Sequence, residues 1–104
     1  MAKDLTINYN DKPCYTIHFR PDFSDLLAVF QEDLHRDYDG ICIVTDSNVA
    51  DLYLNEVTSI FKKTNSFIGT FIFPSGEESK NLDTVSHLYE YLIQNKFTRN
   101  SLLV

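Results

Sequence analysis

Between Pro74 and Lys80 the chain reads Pro-Ser-Gly-Glu-Glu-Ser-Lys, and most of the side chains in it can hold a polar ligand. Glu77 and Glu78 accept hydroxyl protons, Ser75 and Ser79 both donate and accept, and Lys80 places a point charge on a phosphate or a carboxylate. Gly76 lets a ligand approach the backbone closely. A second polar turn, Thr45-Asp46-Ser47-Asn48, offers a carboxylate that can accept both hydroxyls of a ribose, and an amide suited to a ring edge or a hydroxyl. The same residue types also cap helices. Ser47 or Asn48 would serve the helix after the first turn, and Ser79 or Asn81 the helix after the second. Capping alone accounts for the first turn; the second is equally open to capping and to ligand binding.

Such turns matter only if something sets them side by side. Phe67-Ile68-Gly69-Thr70-Phe71-Ile72-Phe73 is too apolar for an exposed segment, and Ile41-Cys42-Ile43-Val44 is apolar on both faces. Both read as strands, and the second of them as one covered by helices on each side. Val49, Leu52, Tyr53, Val57, Ile60 and Phe61 keep helical spacing between them, ending at Lys62-Lys63. Leu82, Val85, Leu88, Leu92 and Phe97 do the same after the second strand, ending at Lys96 and Arg99. Strand, helix, strand, helix implies right-handed crossovers and a parallel sheet. Both polar turns then stand at the carboxyl ends of strands, where open α/β sheets place their ligands.

Upstream, Leu5–Tyr9 and Cys14–Phe19 alternate apolar and polar residues around Asn10-Asp11-Lys12-Pro13, which predicts a hairpin. Asp22 is placed to cap a helix carrying Phe23, Leu26, Leu27, Phe30 and Leu34, with Asp25 favouring its positive end. Arg36-Asp37-Tyr38-Asp39-Gly40 ends that helix, the glycine taking a left-handed or strained turn. Ser101-Leu102-Leu103-Val104 opens a further strand, which would leave its backbone groups without partners if nothing followed. The expected fold is α/β: a three-layer, Rossmann-like parallel sheet with an N-terminal β-hairpin, truncated at the start of a further strand.

Composition narrows the function. A chain of 104 residues makes one compact domain at most, long enough to bury a core unaided, and a net charge of −6 argues against a nucleic-acid partner. No run approaches the roughly 18 apolar residues of a membrane span, and the first residues show no signal-peptide pattern. Cys14 and Cys42 fall in strands without metal-ligand spacing, and read as buried reduced thiols of a cytoplasmic protein. His18, His35 and His87 lack ligand spacing too, so no metal site is expected.

Taken together, strand–Thr-Asp-Ser-Asn–helix and strand–Pro-Ser-Gly-Glu-Glu-Ser-Lys-Asn–helix, followed by Leu102-Leu103-Val104, resemble the amino-terminal part of 3-dehydroquinate synthase, a sugar phosphate cyclase. The Gly-Glu-x-x-Lys turn before Leu82-Asp83-Thr84-Val85 is the most specific piece. The resemblance implies a zinc- (or cobalt-) and NAD-dependent lyase of the shikimate pathway, in aromatic amino acid biosynthesis. It converts 3-deoxy-D-arabino-heptulosonate 7-phosphate to 3-dehydroquinate and phosphate through transient oxidation, elimination, hydride return and ring closure. It also implies that residues 1–104 are the N-terminal nucleotide-binding fragment of a longer two-domain, homodimeric enzyme. Asp46 and Asn48, with Ser75, Gly76, Glu77, Glu78, Ser79 and Lys80, would hold the adenosine half of NAD. The family's glycine-rich pyrophosphate loop, zinc ligands and most substrate-binding residues would come after Val104, so the fragment is expected to be inactive alone. Another sugar phosphate cyclase, a metal-dependent alcohol dehydrogenase of the same fold, or a stand-alone α/β binding module remain as alternatives.

Overall fold

The computed structural model describes residues 3–34 and 38–104. His35 and the expected helix end at Arg36-Asp37 lie outside the described residues, as does the Leu34 side chain. Strands β3 (Gly40–Asp46) and β4 (Phe67–Phe73) pair in parallel, from Gly40 beside Phe67 to Asp46 beside Phe73. β5 (Leu102–Leu103) pairs in parallel along the other side of β3, giving the order β4-β3-β5. The ladder continues past β5: the Val104 N–H donates to the Cys42 carbonyl at 2.9 Å, and the Val104 carbonyl accepts from Val44 at 2.8 Å.

Successive side chains of a strand point to opposite faces, which explains why β3 is apolar throughout. Ile41 and Ile43 face α3 (Asn55–Phe61) and α1 (Leu26–Leu34), forming a core with Phe61 that Leu26, Phe30, Val57 and Leu102 surround. The Phe30 ring meets Phe61 edge-on at 5.1 Å. The opposite face lies under α4 (Leu82–Gln94), where Tyr91 packs on Phe71 at 5.7 Å. Helices cover both faces of the parallel sheet, which is the three-layer arrangement expected.

Several local expectations are corrected. Gly40 is not a left-handed turn; it is the buried first residue of β3. A Cβ there would lie 2.9 Å from the Phe97 ring, and one at Gly69 would lie 2.8 Å from both Phe97 and the Tyr91 hydroxyl. Phe97 is not on α4 either. The helix stops at Gln94, Lys96 takes a positive φ of 61°, and the Phe97 N–H returns to the Leu92 carbonyl at 3.0 Å. That is a Schellman ending, and it turns Phe97 under the sheet. Asp22 caps no helix: its carboxylate accepts from the Ser24 N–H at 2.9 Å, and α1 begins later, at Leu26.

The helix after β3 is α2 (Ser47–Val49), then a π-helical stretch Ala50–Leu54, then α3. The wider π turn shifts the helical phase, and Leu52, expected in the buried stripe, is 70% exposed. The hairpin strands β1 (Leu5–Tyr9) and β2 (Lys12–Ile17) form a separate antiparallel sheet. Its turn is shorter than expected: Asn10 and Asp11 alone take positive φ, as a type I′ turn requires. A register shift at Ile7/Asn8 sets Asn8 opposite Pro13 and leaves Cys14 unpaired in the ladder. Cys14 is exposed, against expectation, as are its paired neighbours Pro13 and Tyr15; Cys42 is buried, and both are free thiols.

Arg20 ties the hairpin to α1. Its guanidinium donates to Asp4 through Nη1 and Nη2, at 2.5 and 3.1 Å, and to Asp25 through Nε at 3.1 Å. His18 Nδ1 adds a contact to Asp4 at 3.0 Å.

Candidate functional site

Parallel pairing puts the carboxyl ends of β3 and β4 at one rim, so the two polar turns are neighbours. They touch: the Ser75 N–H donates to Ser47 Oγ at 3.0 Å. Asp46 makes this possible. Its backbone is extended (φ −87°, ψ 171°), and its Oδ1 accepts the Val49 N–H at 2.8 Å, so Asp46 is the N-cap. Ser47 and Asn48, the caps expected from sequence, are relieved of that role. Ser47 bridges to the second turn, and Asn48 stands exposed beside it.

The second turn is shaped by Gly76. Its φ of 115° suits glycine, and a Cβ would lie 2.8 Å from the Glu78 carboxylate, which folds over it. Glu77–Ser79 form one tight helical turn, closed by Ser79 N–H to the Gly76 carbonyl at 3.1 Å and Lys80 N–H to the Glu77 carbonyl at 3.0 Å. Lys80 Nζ donates to Glu77 Oε1 at 3.1 Å, both side chains being largely exposed. Exposed ion pairs are cheap to open, so either group can turn to a ligand. Asn81, not Ser79, caps α4: its Oδ1 accepts from Thr84 at 2.9 Å. Its amide donates to the Glu78 carbonyl at 2.6 Å and locks the turn to the helix.

The rim thus gathers three carboxylates, Asp46, Glu77 and Glu78, with one ammonium, Lys80. Beside the second turn lies a cavity of about 250 Å³ lined by Val44, Phe73, Lys80, Asn81, Val85 and Leu88. A mostly apolar slot with Ser79, Lys80 and Asn81 among its lining suits a flat ring. A second cavity of about 210 Å³ opens on the other flank of β3, among Phe23, Thr45, Val49, Tyr53 and Val104. Phe23 stands edge-on to Tyr53 there, at 5.5 Å. In the order β4-β3-β5 the connections reverse at β3, so this flank is the topological switch point. The sequence does not point to Phe23 or Tyr53 as rim residues, because finding them requires the strand order.

Among the described residues no group of three His, Cys, Asp or Glu side chains could hold a metal ion. His18 is engaged with Asp4, and His87 is exposed on α4. Among the same residues no helix is long and apolar enough to cross a membrane.

No protein-family model matches the chain. It is 30% identical over 100 residues to the 3-dehydroquinate synthase of Acetivibrio thermocellus, covering 96% of this chain and 27% of that protein. It is 45% identical over 60 residues to the 3-dehydroquinate synthase of Streptococcus suis (strain 05ZYH33), covering 58% of this chain and 17% of the relative. In fold it matches the crystal structure of a 2-deoxy-scyllo-inosose synthase complexed with carbaglucose-6-phosphate, NAD+ and Co2+. The TM-score is 0.77 at 24% identity, over 97% of this chain and 27% of that one. The chain therefore spans about a quarter or less of the length of these proteins. In sequence it resembles the amino-terminal part of 3-dehydroquinate synthase, on the fold of a sugar phosphate cyclase.

Proposed function

We propose that residues 1–104 form the NAD-binding amino-terminal part of a 3-dehydroquinate synthase, a longer two-domain enzyme. The reaction would convert 3-deoxy-D-arabino-heptulosonate 7-phosphate to 3-dehydroquinate and phosphate in the shikimate pathway. The parent would be a cytoplasmic homodimer without nucleic-acid or membrane partners. The observation that carries this reading is the Ser75–Ser47 contact, which joins two turns of consecutive βα units at one rim. The residues fit the adenosine half of a dinucleotide. Asp46, with Oδ1 engaged in capping, has Oδ2 to offer, and the Glu78 carboxylate reaches over Gly76. The apolar slot beside Lys80 suits a purine.

In this reading Asp46, Glu77 and Glu78 accept ribose hydroxyl protons. Asn48 and the Ser75 and Ser79 hydroxyls supply neutral hydrogen bonds, and Gly76 allows close approach of the ligand. Lys80 supplies positive charge to offset the three carboxylates. NAD, when bound, would accept a hydride from substrate and return it. The described residues do not fit a metal, so the zinc or cobalt chemistry of the parent would rest on residues beyond these, and the 104-residue chain would be inactive by itself.

In the whole enzyme, Lys80→Ala should raise the NAD dissociation constant about tenfold, the scale of one charge-assisted hydrogen bond. Calorimetry reads this directly, and an unchanged affinity would remove Lys80 from the site.

A further inference from the structure

Strand β3 ends at Asp46, beside Phe73, and there its chain turns away into α2. The chain of β4 runs on into the second turn without that neighbour. Pro74 has no N–H to place, so Ser75 is the first residue past the ladder with a donor to satisfy. A continuing β3 would supply a carbonyl, but the Ser47 carbonyl accepts the Ala50 N–H within the helix. The Ser47 hydroxyl accepts from Ser75 instead, at 3.0 Å, and stands in for the next rung of the sheet. It can do so because Asp46, not Ser47, caps the helix.

The second turn is otherwise bonded to itself and to α4. The Ser79 and Lys80 N–H groups close on the Gly76 and Glu77 carbonyls, and the Asn81 amide holds the Glu78 carbonyl. Among the described residues, the Ser75–Ser47 bond is the one hydrogen bond between the two turns. Ser47 lines neither the slot beside Lys80 nor the cavity on the other flank of β3. Granting an adenosine site at this rim, we propose that Ser47 is a positioning residue. It acts through Ser75, holding Glu77 and Glu78 at a set spacing from Asp46, so that one ribose meets both turns together.

Three carboxylates against one ammonium push the turns apart, and the bond opposes that repulsion. Held by it, the turns already stand in the binding arrangement. Released, they reach that arrangement only part of the time, and apparent affinity falls by the same fraction.

Amide NMR of the chain titrated with AMP tests this on wild type, Ser47→Ala and Ser47→Thr, with circular dichroism confirming that each is folded. Wild type should shift both turns along one binding curve. Ser47→Ala should raise the AMP dissociation constant about three- to tenfold, the scale of one neutral hydrogen bond. It should also split the response into two curves, one for each turn, and speed solvent exchange of the Ser75 amide before any ligand is added. Ser47→Thr keeps the hydroxyl and should restore affinity and the single curve. Ser59→Ala, which removes an exposed hydroxyl on α3, should change nothing. A Ser47→Ala chain that binds AMP as wild type does, on one curve, overturns the positioning role and leaves the adenosine site standing. A Ser47→Thr chain as weak as Ser47→Ala overturns it too, since the hydroxyl would not be the cause. A wild type that ignores AMP removes the adenosine site, and the positioning role with it.

Discussion

Asp4 shows how much a single exposed residue can organise. The Arg20 guanidinium holds its carboxyl well below the usual carboxylate range, with the Phe19 N–H and His18 adding to the effect. Asp39 is lowered in the same direction by the Thr98 and Ser101 hydroxyls, at 2.6 and 2.8 Å, which pin the entry to β5 against the start of β3. In both cases the folded chain binds the proton less tightly than the unfolded one. Their contribution is therefore present above the unfolded pKa, about 4, and is lost as pH falls through the lower folded value. Asp4→Asn should flatten the fall of melting temperature below about pH 4, leaving the slope above neutrality unchanged. Equal acid slopes in thermal melts of the two proteins would show that the Asp4 network contributes nothing to the fold. None of this was legible in the sequence, because Asp4 meets Arg20 only once the hairpin has turned back. The site residues were more legible. A Gly-Glu-Glu-Ser-Lys turn after an apolar strand points to itself, whereas the bridging role of Ser47 depends on Asp46 having taken the cap.

At the level of elements, periodicity identified the strands and helices and misplaced some of their ends. Gly40 and Phe97 were misread for one shared reason. A glycine after a polar run reads as a helix terminator, and a phenylalanine in phase with Leu92 reads as the next helical position, yet the two are packed on each other. Gly69 completes the same cluster, with Phe97 5.5 Å from Phe67 and 6.3 Å from Tyr91. A methyl group at Gly69 must displace the Phe97 ring or the Tyr91 hydroxyl, and so loosen the bond from Thr70. Gly69→Ala should cost about 1–3 kcal/mol, the usual penalty for overpacking, read as a lower urea midpoint at unchanged slope. A midpoint equal to wild type would show that the cluster yields freely. Leu52 was misread for a different reason, since a π turn inside a helix leaves no mark in apolar spacing.

At the scale of the whole molecule, the sequence made the parallel sheet legible through strands apolar on both faces, joined by amphipathic helices. That in turn put both polar turns at one rim, where they are found. The strand order β4-β3-β5 was not legible, because three residues at the end of the chain do not say which edge they join. With the order went the switch-point flank of β3 and its aromatic pair, Phe23 and Tyr53. The nucleotide reading rests on the joined rim of β3 and β4, and amide NMR of the chain titrated with AMP and with nicotinamide mononucleotide tests it most directly. AMP, even at weak affinity, should shift the amides of Asp46–Asn48 and Ser75–Asn81 together along one binding curve, while nicotinamide mononucleotide leaves them in place. Shifts confined to one turn, or equal responses to both ligands, would contradict an adenosine site built from the two turns.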